Sequence, residues 1–596
     1  MINYKSISLC SILLLSGIFA SCGKQVDPPT PYGPIPSAAQ LEWQKMEYNM
    51  FIHFGPNTFT NVEWGDGKED PRVFNPTDLD CRQWASIAKA AGMKGIIITA
   101  KHHDGFCLWP SQYSTHTVRE SAWKDGKGDL LKELSEACKE FGLKFGVYLS
   151  PWDQNHPAYG TPEYNQVFAN TLTEVLTQYG EVFEQWFDGA NGEGEGGKKQ
   201  VYDWPLFHKA VYTNQPNAII FSDVGPGCRW VGNEAGHVGE TNWSRLNIEG
   251  FEPGRLAPPT DTLNRGNMHG VAWVPAETNT SIRPGWFYSP NADERVKSLE
   301  RLVGIYHTSV GRNSTFLLNV PPDRTGRIHK NDSTRLMELK SAIDESFKTN
   351  LAKGKVMASA TRGNSPTYAA KNLIDGNYDT YWTTDDDVLT TSFELAMPEA
   401  QTFNRLLLQE YIALGQRVAA FDVDYWDAQV STWKRLTEAT TIGYKRILLF
   451  PQVTAQKIRV NITQSLACPV LNNLELYLAP DFSVNTDATN IVWVNAKEAR
   501  VADLGKNTAI TGFFYIPDTR VSSPNIARYN VYTSVDNKEW TLQQSDARFN
   551  NIRNNPIRQD VSFGKTVEAR YIKIEALELT NIGDRYAVGG FGAITN

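Results

Sequence analysis

Two textures within one chain predict an α/β barrel followed by two all-β sandwiches. From about Leu41 to Ala342, short apolar runs alternate with amphipathic helices. That is the pattern of repeated β-loop-α units, most economically a (β/α)8-like barrel. Past about Phe347 helical periodicity stops and short alternating strands take over, as in antiparallel sandwiches. At 596 residues the chain exceeds what one hydrophobic core fills, so several domains are expected.

The first element is an export signal. Lys5 is followed by the apolar run "ISLCSILLLSGIFA" and then "SC". The run is short for a membrane span. Its ending "FASC" resembles a bacterial lipobox, which makes residues 1–21 a lipoprotein signal peptide and Cys22 the lipidated residue. An ordinary cleaved signal with an incidental Cys is the alternative. Residues 22–40, with "DPPTPYGPIPS", read as a Pro-rich tether. The expectation is an exported, membrane-anchored bacterial lipoprotein, periplasmic or at the cell surface, meeting the membrane through its lipid anchor only.

Residues 41–345 carry the barrel pattern. "MFIHF" (50–54) is a first strand, followed by a helix with Trp84, Ile87, Ala88 and Ala91 on one face. "GIIITA" (95–100) is next. Asp129 is then a natural N-cap for a helix with Leu130, Leu134, Ala137 and Phe141 inward, stopped at Gly142. "KFGVYLS" (144–150) precedes a helix with Tyr164, Phe168, Leu172, Val175 and Tyr179. "VFEQWFD" (182–188), "AIIFSDV" (218–224) and "TFLLNV" (315–320) follow. A doubly wound open sheet is less economical, because no Gly-rich phosphate loop follows the first strand.

Residues 346–480 and 481–596 are the two sandwiches. "FDVDYWDAQVSTWKRL" with a later "AQKIRVNI" parallels "YNVYTSVDNKEWTLQ" with a later "ARYIKIEA", a weak internal repeat. Cys81, Cys107, Cys138, Cys228 and Cys468 are odd in number and match no zinc spacing, so neither a disulfide framework nor a zinc site is expected. A net charge of -8 disfavours nucleic acid as a partner. With 17 Trp and 24 Tyr the chain is rich in the flat faces that stack on sugar rings.

Barrel chemistry gathers at the C-terminal ends of strands. Those ends present His53, the pair His102 and His103, then Tyr148, Trp152 and Asp153, then Asp188. Three His and an Asp suggest either a metal or a sugar. Adjacent His residues on an extended strand point apart, and no His-x-His or His-x-x-x-His spacing occurs, which weighs against metal. Neutral imidazoles give each sugar hydroxyl a donor or an acceptor, and Trp and Tyr supply a stacking wall. Hydrolysis then needs two carboxyl groups about the anomeric carbon. Asp188 is one; the other comes from a different loop.

"MFIHFGPNTFTNVEWGDG", "AGMKGIIITAKHHDGFCLWPS" and "EQWFDGANGEG" resemble glycoside hydrolase family 29, the α-L-fucosidases, over roughly Leu41 to Ala342. The resemblance implies a retaining mechanism with Asp188 as nucleophile. It implies fucose contacts at His53, His102, His103, Trp64, Tyr148 and Trp286, with Glu63 beside them; Trp152, presented just past its strand, is a further candidate sugar contact. Two acid/base candidates remain. Glu234, in "WVGNEAG", matches the "GNE" of the subgroup that cleaves α-1,3 and α-1,4 branches; Glu277, in "PAETNTSIRPGWFY", is otherwise a pocket residue. Each could instead be a solvated loop Glu, as could Glu195 and Glu240. Arg229 holds either a carboxylate, a fucose hydroxyl or a surface salt bridge.

"AAKNLIDGNYDTYWTT" (369–384) resembles the opening of discoidin-like modules, including family 32 carbohydrate-binding modules. That resemblance implies a structural Ca²⁺ near Asp375, Asp379, Thr380 and Glu475; a bare Asp-Gly turn is the alternative. The second sandwich lacks this opening. Together the expectation is an exo-α-L-fucosidase that removes α-1,3/1,4-linked fucose from Lewis-type oligosaccharides or glycoprotein glycans, with no cofactor for catalysis. The alternatives are an inactive glycan-binding surface protein, or a fucosidase of broader linkage with Glu277 as acid/base.

Overall fold

The computed structural model describes residues 26–595 apart from 195, 483–490, 519–522, 550, 551, 554 and 555. The signal segment, Cys22 and Glu195 fall outside the described residues. Eight parallel strands close a barrel. They are β1 (Tyr48–Ile52), β2 (Gly95–Lys101), β3 (Lys144–Leu149), β4 (Val182–Trp186), β5 (Ile219–Ser222), β6 (Cys228–Trp230), β7 (Ala276–Ser281) and β8 (Ser314–Asn319). Each pairs with the next in sequence, and β8 returns to β1, Tyr48 opposite Phe316.

The helices named here are α1 (Ala38–Met46), α2 (Cys81–Ala90), α3 (Leu130–Phe141), α4 (Pro162–Gln178), α5 (Trp204–Asn214), α6 (Leu299–Ser309) and α7 (Lys330–Ser346). Local chemistry sets their ends. Asp129 accepts the Lys132 N–H at the start of α3, and Gly142, at φ 62°, closes it in the left-handed region that glycine tolerates. Strand alternation then sorts the core into two shells. Met50, Ile52, Ile96, Ile98, Val147 and Leu149 pack outward under the helices. Phe51, Tyr148, Trp186, Phe221 and Leu317 fill the barrel interior. The result is a filled core whose top layer is aromatic.

Two departures from a regular barrel matter for the site. Residues 223–227 join β5 to β6 without a helix, and a long loop, 231–275, joins β6 to β7. Strand β7, "AETNTS", is polar from its second residue on yet wholly buried. It has no apolar run, so the sequence did not mark it as a strand.

The Pro-rich segment is not a free tether over its described part. Arg362 and Arg417 donate to the carbonyls of Asp27 and Thr30, at 2.7 and 2.6 Å, and Tyr32 N–H donates to Leu414 O at 3.0 Å. The physical reason is that an extended Pro-rich chain leaves its carbonyls unpaired, and long Arg side chains of the first sandwich collect them. Ser37 and Gln40 form a capping box that starts α1 inside the expected tether. From α1, Trp43 Nε1 enters the base of the barrel and donates to Glu184 at 2.7 Å.

Beyond α7 the structure is antiparallel sheet. Strand Thr391–Glu410 pairs with Arg446–Ser465 along most of its length, with register shifts that bend it across the domain. Trp382, Phe393, Phe403 and Leu474 belong to one core, and Phe513, Tyr529 and Ile574 to another further on. The first of these domains is bolted to the barrel: Asn242 N–H donates to Thr441 Oγ1 at 3.0 Å and Ser244 N–H to Gln416 Oε1 at 2.7 Å. The five described cysteines are free and buried. Among the described residues no helix is long and apolar enough to cross a membrane.

Candidate active site

A cavity of about 340 Å³ opens at the C-terminal end of the barrel. His53, Trp64, His102, His103, Tyr148, Asp188, Glu234 and Trp286 all line it. Asp188 stands just past β4. Tyr148 OH donates to its Oδ2 at 3.1 Å and Ala190 N–H to its Oδ1 at 2.8 Å. Its side chain keeps 29% of its surface exposed, so the carboxylate is held in place and still reachable. Glu234 faces the same space from the β6–β7 loop, and Trp286 Nε1 donates to its Oε2 at 3.2 Å.

The hydrogen-bond network fixes which imidazole nitrogen carries the proton. Asn319 spends both amide hydrogens on Ser281 Oγ and Trp286 O, at 2.9 and 2.8 Å. Its carbonyl is therefore the acceptor facing His53 Nδ1 at 2.9 Å, so Nδ1 carries the hydrogen and Nε2 is a bare acceptor. Ser150 spends its hydroxyl hydrogen on Trp152 O, at 2.9 Å. His103 Nδ1 then donates to Ser150 Oγ at 2.8 Å, leaving its Nε2 bare, 3.8 Å from Asp188 Oδ2. Burial keeps these rings neutral. It pulls His53 down to about 3 and His103 to about 4, against the pull of Asp188 on the latter, and lowers His102 strongly. Two neutral acceptors beside a carboxylate suit hydroxyl donors on a ligand.

The floor is aromatic. Trp186 stacks on Phe221 with centroids 3.9 Å apart and on Tyr148 at 5.3 Å. These rings, with Phe51 and Trp286, give one apolar wall opposite the polar groups. Trp64, 51% exposed, stands at the rim with its edge toward His103.

Three expected contacts lie elsewhere. Glu277 is wholly buried inside the barrel below the cavity, where its Oε1 accepts from Trp186 Nε1 at 3.0 Å. Its neighbour there is Glu184; burial raises both carboxyls, and the charge of Glu277 raises Glu184 further, so the pair retains a proton. Glu277 is thus a support for Trp186, because β7 carries it inward one layer too deep. Arg229 is also wholly buried and donates to Leu263 O at 2.9 Å, Asn242 Oδ1 at 2.8 Å and Val274 O. It meets no sugar and makes no surface salt bridge; it clamps the long loop that carries Glu234. Trp152 lies behind His103, ring centroids 4.8 Å apart, and donates to Glu193 O at 3.0 Å. Gly192 touches its face; a Cβ there would overlap the indole.

Glu63 accepts from Trp286 N–H at 2.9 Å, and burial pushes it up to about 7 despite the backbone donors. Glu240 is exposed and pairs with Arg312. The histidines and Asp188 do not converge on one point as metal ligands would; among the described residues the group that does is Glu184, Cys228 and Glu277, inside the barrel.

The cavity also holds residues the sequence reading passed over: Trp186, Asp223, Trp230 and Asn279. Asp223 was findable, since "FSDV" places an acid just past a strand as "WFDG" does. Burial and the neighbouring Asp188 charge push it up to about 6, although Gly254 N–H, 3.1 Å away, opposes this.

In the first sandwich, Asp375 Oδ2 accepts from Thr380 Oγ1 at 2.7 Å and Oδ1 from Asn377 N–H at 2.8 Å. Glu475 is taken by Tyr378, Asn473 and Tyr477 donors, and Asp379 is exposed. Three of the four expected calcium ligands, Asp375, Asp379 and Thr380, share this turn, and Glu475 is held beside it by Tyr378.

Comparison with known proteins supplies the family. The Alpha-L-fucosidase profile matches residues 35–343, and the F5/8 type C profile matches twice, at 355–473 and 482–588, in line with the internal repeat. Alpha-L-fucosidase 1 of Arabidopsis thaliana is 41% identical over 83% of this chain and 98% of its own. A glycoside hydrolase 29 family member from an unknown rumen bacterium superposes with TM-score 0.68 and 41% identity, covering 95% of this chain and all of the other. A Ruminococcus gnavus GH29 fucosidase in complex with fucose gives TM-score 0.71 at 32% identity, over 77% and 97% of the two chains. With a barrel of eight strands, a cavity lined by His, Trp and carboxylates, and these relatives, the chain belongs to glycoside hydrolase family 29, the α-L-fucosidases.

Proposed function

We propose that this α-L-fucosidase retains anomeric configuration, with Asp188 as nucleophile and Glu234 as acid/base, and that it removes terminal α-1,3/1,4-linked fucose from branched Lewis-type glycans. The observation that carries this reading is the setting of Asp188, oriented by Tyr148 OH and Ala190 N–H in a cavity that Glu234 also lines. Asp188 attacks the anomeric carbon through an oxocarbenium-like transition state, while Glu234 protonates the departing oxygen and then activates water. His53 and His103 accept from fucose hydroxyls, and the aromatic floor takes the apolar face. The chemistry uses no metal or cofactor. The "GNE" setting of Glu234 supports the branched linkage, and Cys22 supports a membrane-anchored lipoprotein facing the periplasm or the cell exterior.

The test is a pair of variants. Asp188→Ala should lose turnover by at least about 10³-fold while melting as wild type does. Glu234→Ala should be rescued by azide, with β-fucosyl azide as product. Near-normal activity in the first, or no azide product in the second, sinks the assignment. Release from Lewis trisaccharides in preference to 2′-fucosyllactose tests the linkage. Loss of membrane association in Cys22→Ser tests the anchor.

A further inference from the structure

A second cavity, of about 180 Å³, lies against the first, and Trp286 lines both. One of its walls is barrel: Glu63, Tyr288 and Arg295. The other belongs to the last domain: Arg558, Gln559 and Asp560. Arg295 and Asp560 form an ion pair across the domain boundary. We propose that this cavity is a subsite for the neutral sugar that carries the fucose, built jointly by the barrel and the C-terminal domain.

Position is the first argument. Trp286 is the partition between the cavities: its Nε1 donates to Glu234 Oε2 at 3.2 Å, and its backbone N–H donates to Glu63 Oε2 at 2.9 Å. In the proposed reaction Glu234 protonates the leaving oxygen, so the departing sugar stands on the Glu234 side of the fucose, where Trp286 and the second cavity lie. Chemistry is the second. Both Arg residues are paired with Asp560, and Glu63 is held by the Trp286 backbone N–H, so the charged groups of the cavity are already engaged within the protein. What remains is a set of fixed donors and acceptors, suited to hydroxyls and an N-acetyl group. Preorganisation is the third. The Arg558 guanidinium packs 4.2 Å over the Phe514 ring and its Nε donates to Asp560 Oδ1 at 2.9 Å. A group already held loses little freedom when a ligand arrives.

The inference rests on the branched-glycan reading, and the substrates are chosen to separate the two. In the full-length protein, Arg558→Ala combined with Gln559→Ala is assayed on a Lewis-type trisaccharide and on 4-nitrophenyl α-L-fucoside, which has no second sugar. The expected result is a tenfold fall in kcat/KM for the trisaccharide, carried by KM, with the aryl fucoside within twofold of wild type. Val62→Trp, which fills the cavity from the barrel side and leaves the ion pair intact, should give the same split. An unchanged ratio between the two substrates in both variants overturns the subsite. A wild-type enzyme that turns over the aryl fucoside but no branched glycan overturns the linkage reading, and the subsite with it.

Discussion

Asp188 and Glu184 leave the same strand path, two repeats of the pleat apart in depth, and differ in everything that governs reactivity. Asp188 stands at the mouth of the barrel with a hydroxyl, a backbone N–H and 29% of its side chain open. Glu184 lies in the interior, accepts from Trp43 at 2.7 Å, and faces Glu277 and the Cys228 thiol. Burial forces Glu184 to keep a proton, and a protonated buried acid cannot attack an electrophile. Depth along the strand axis, rather than residue type, decides which carboxyl does chemistry and which supports the floor.

Exchanging the two acids for their amides breaks this comparison most sharply. Asp188→Asn should lower kcat by about 10³-fold or more, since a neutral amide is no nucleophile. Glu184→Gln should leave kcat close to wild type, because an acid that stays protonated is already nearly an amide in shape and charge. Equal losses in both would mean that depth is not what separates them.

The next effect concerns the support beneath the floor. Glu277→Ala strands the Trp186 indole N–H without its acceptor and opens a hole, at a cost of about 2–4 kcal/mol. Glu277→Gln keeps an acceptor and should recover most of that stability in a thermal melt. Azide should rescue neither variant. Azide-dependent turnover in Glu277→Ala would instead move the acid/base role to Glu277.

Much of this was legible before any coordinates. The apolar runs of β1 to β5 and β8 read directly, and the first four placed a site residue at or just past their ends: His53, His102, Tyr148, Asp188. Strand β6 is only "CRW", and β7 is polar; both are made strands by their neighbours' hydrogen bonds, which no local pattern carries. The placement of Arg229 against the long loop and of Glu277 inside the barrel follows from those two strands, so it was hidden with them. The capture of the Pro-rich segment by Arg362 and Arg417 depends on side chains more than 300 positions away. Trp152 was read as a sugar contact because it follows a strand; its real task, backing His103, appears only when Gly192 is seen pressed against its ring.

The imidazoles extend the comparison to bases. Unfolded, His103 titrates near 6.5; folded, burial lowers it to about 4. Between those values the unfolded chain binds the extra proton, so the contribution of His103 is whole above pH 6.5 and is lost as pH falls toward 4. Glu63 and Asp223, raised to about 7 and 6, gain their protons earlier in the folded state and work in the opposite direction. A variant cancels them. Relative to His103→Asn, wild type should lose about 1.4 kcal/mol of stability for each pH unit crossed below 6.5. A constant difference from pH 7 to 4 would mean that His103 titrates normally.

The smallest effect is expected where carboxylates are neither buried nor catalytic. In the first sandwich Asp375 is satisfied by Thr380 and Asn377, and Glu475 by Tyr378, Asn473 and Tyr477. A cation entering this turn would have to displace those donors, whereas an open oxygen cage would welcome it. The melting temperature should therefore stay the same in EDTA and in millimolar Ca²⁺. A rise of several degrees with Ca²⁺, lost in Asp375→Asn, would show that the turn reorganises around the ion, and that the Asp-Gly opening is a metal loop after all.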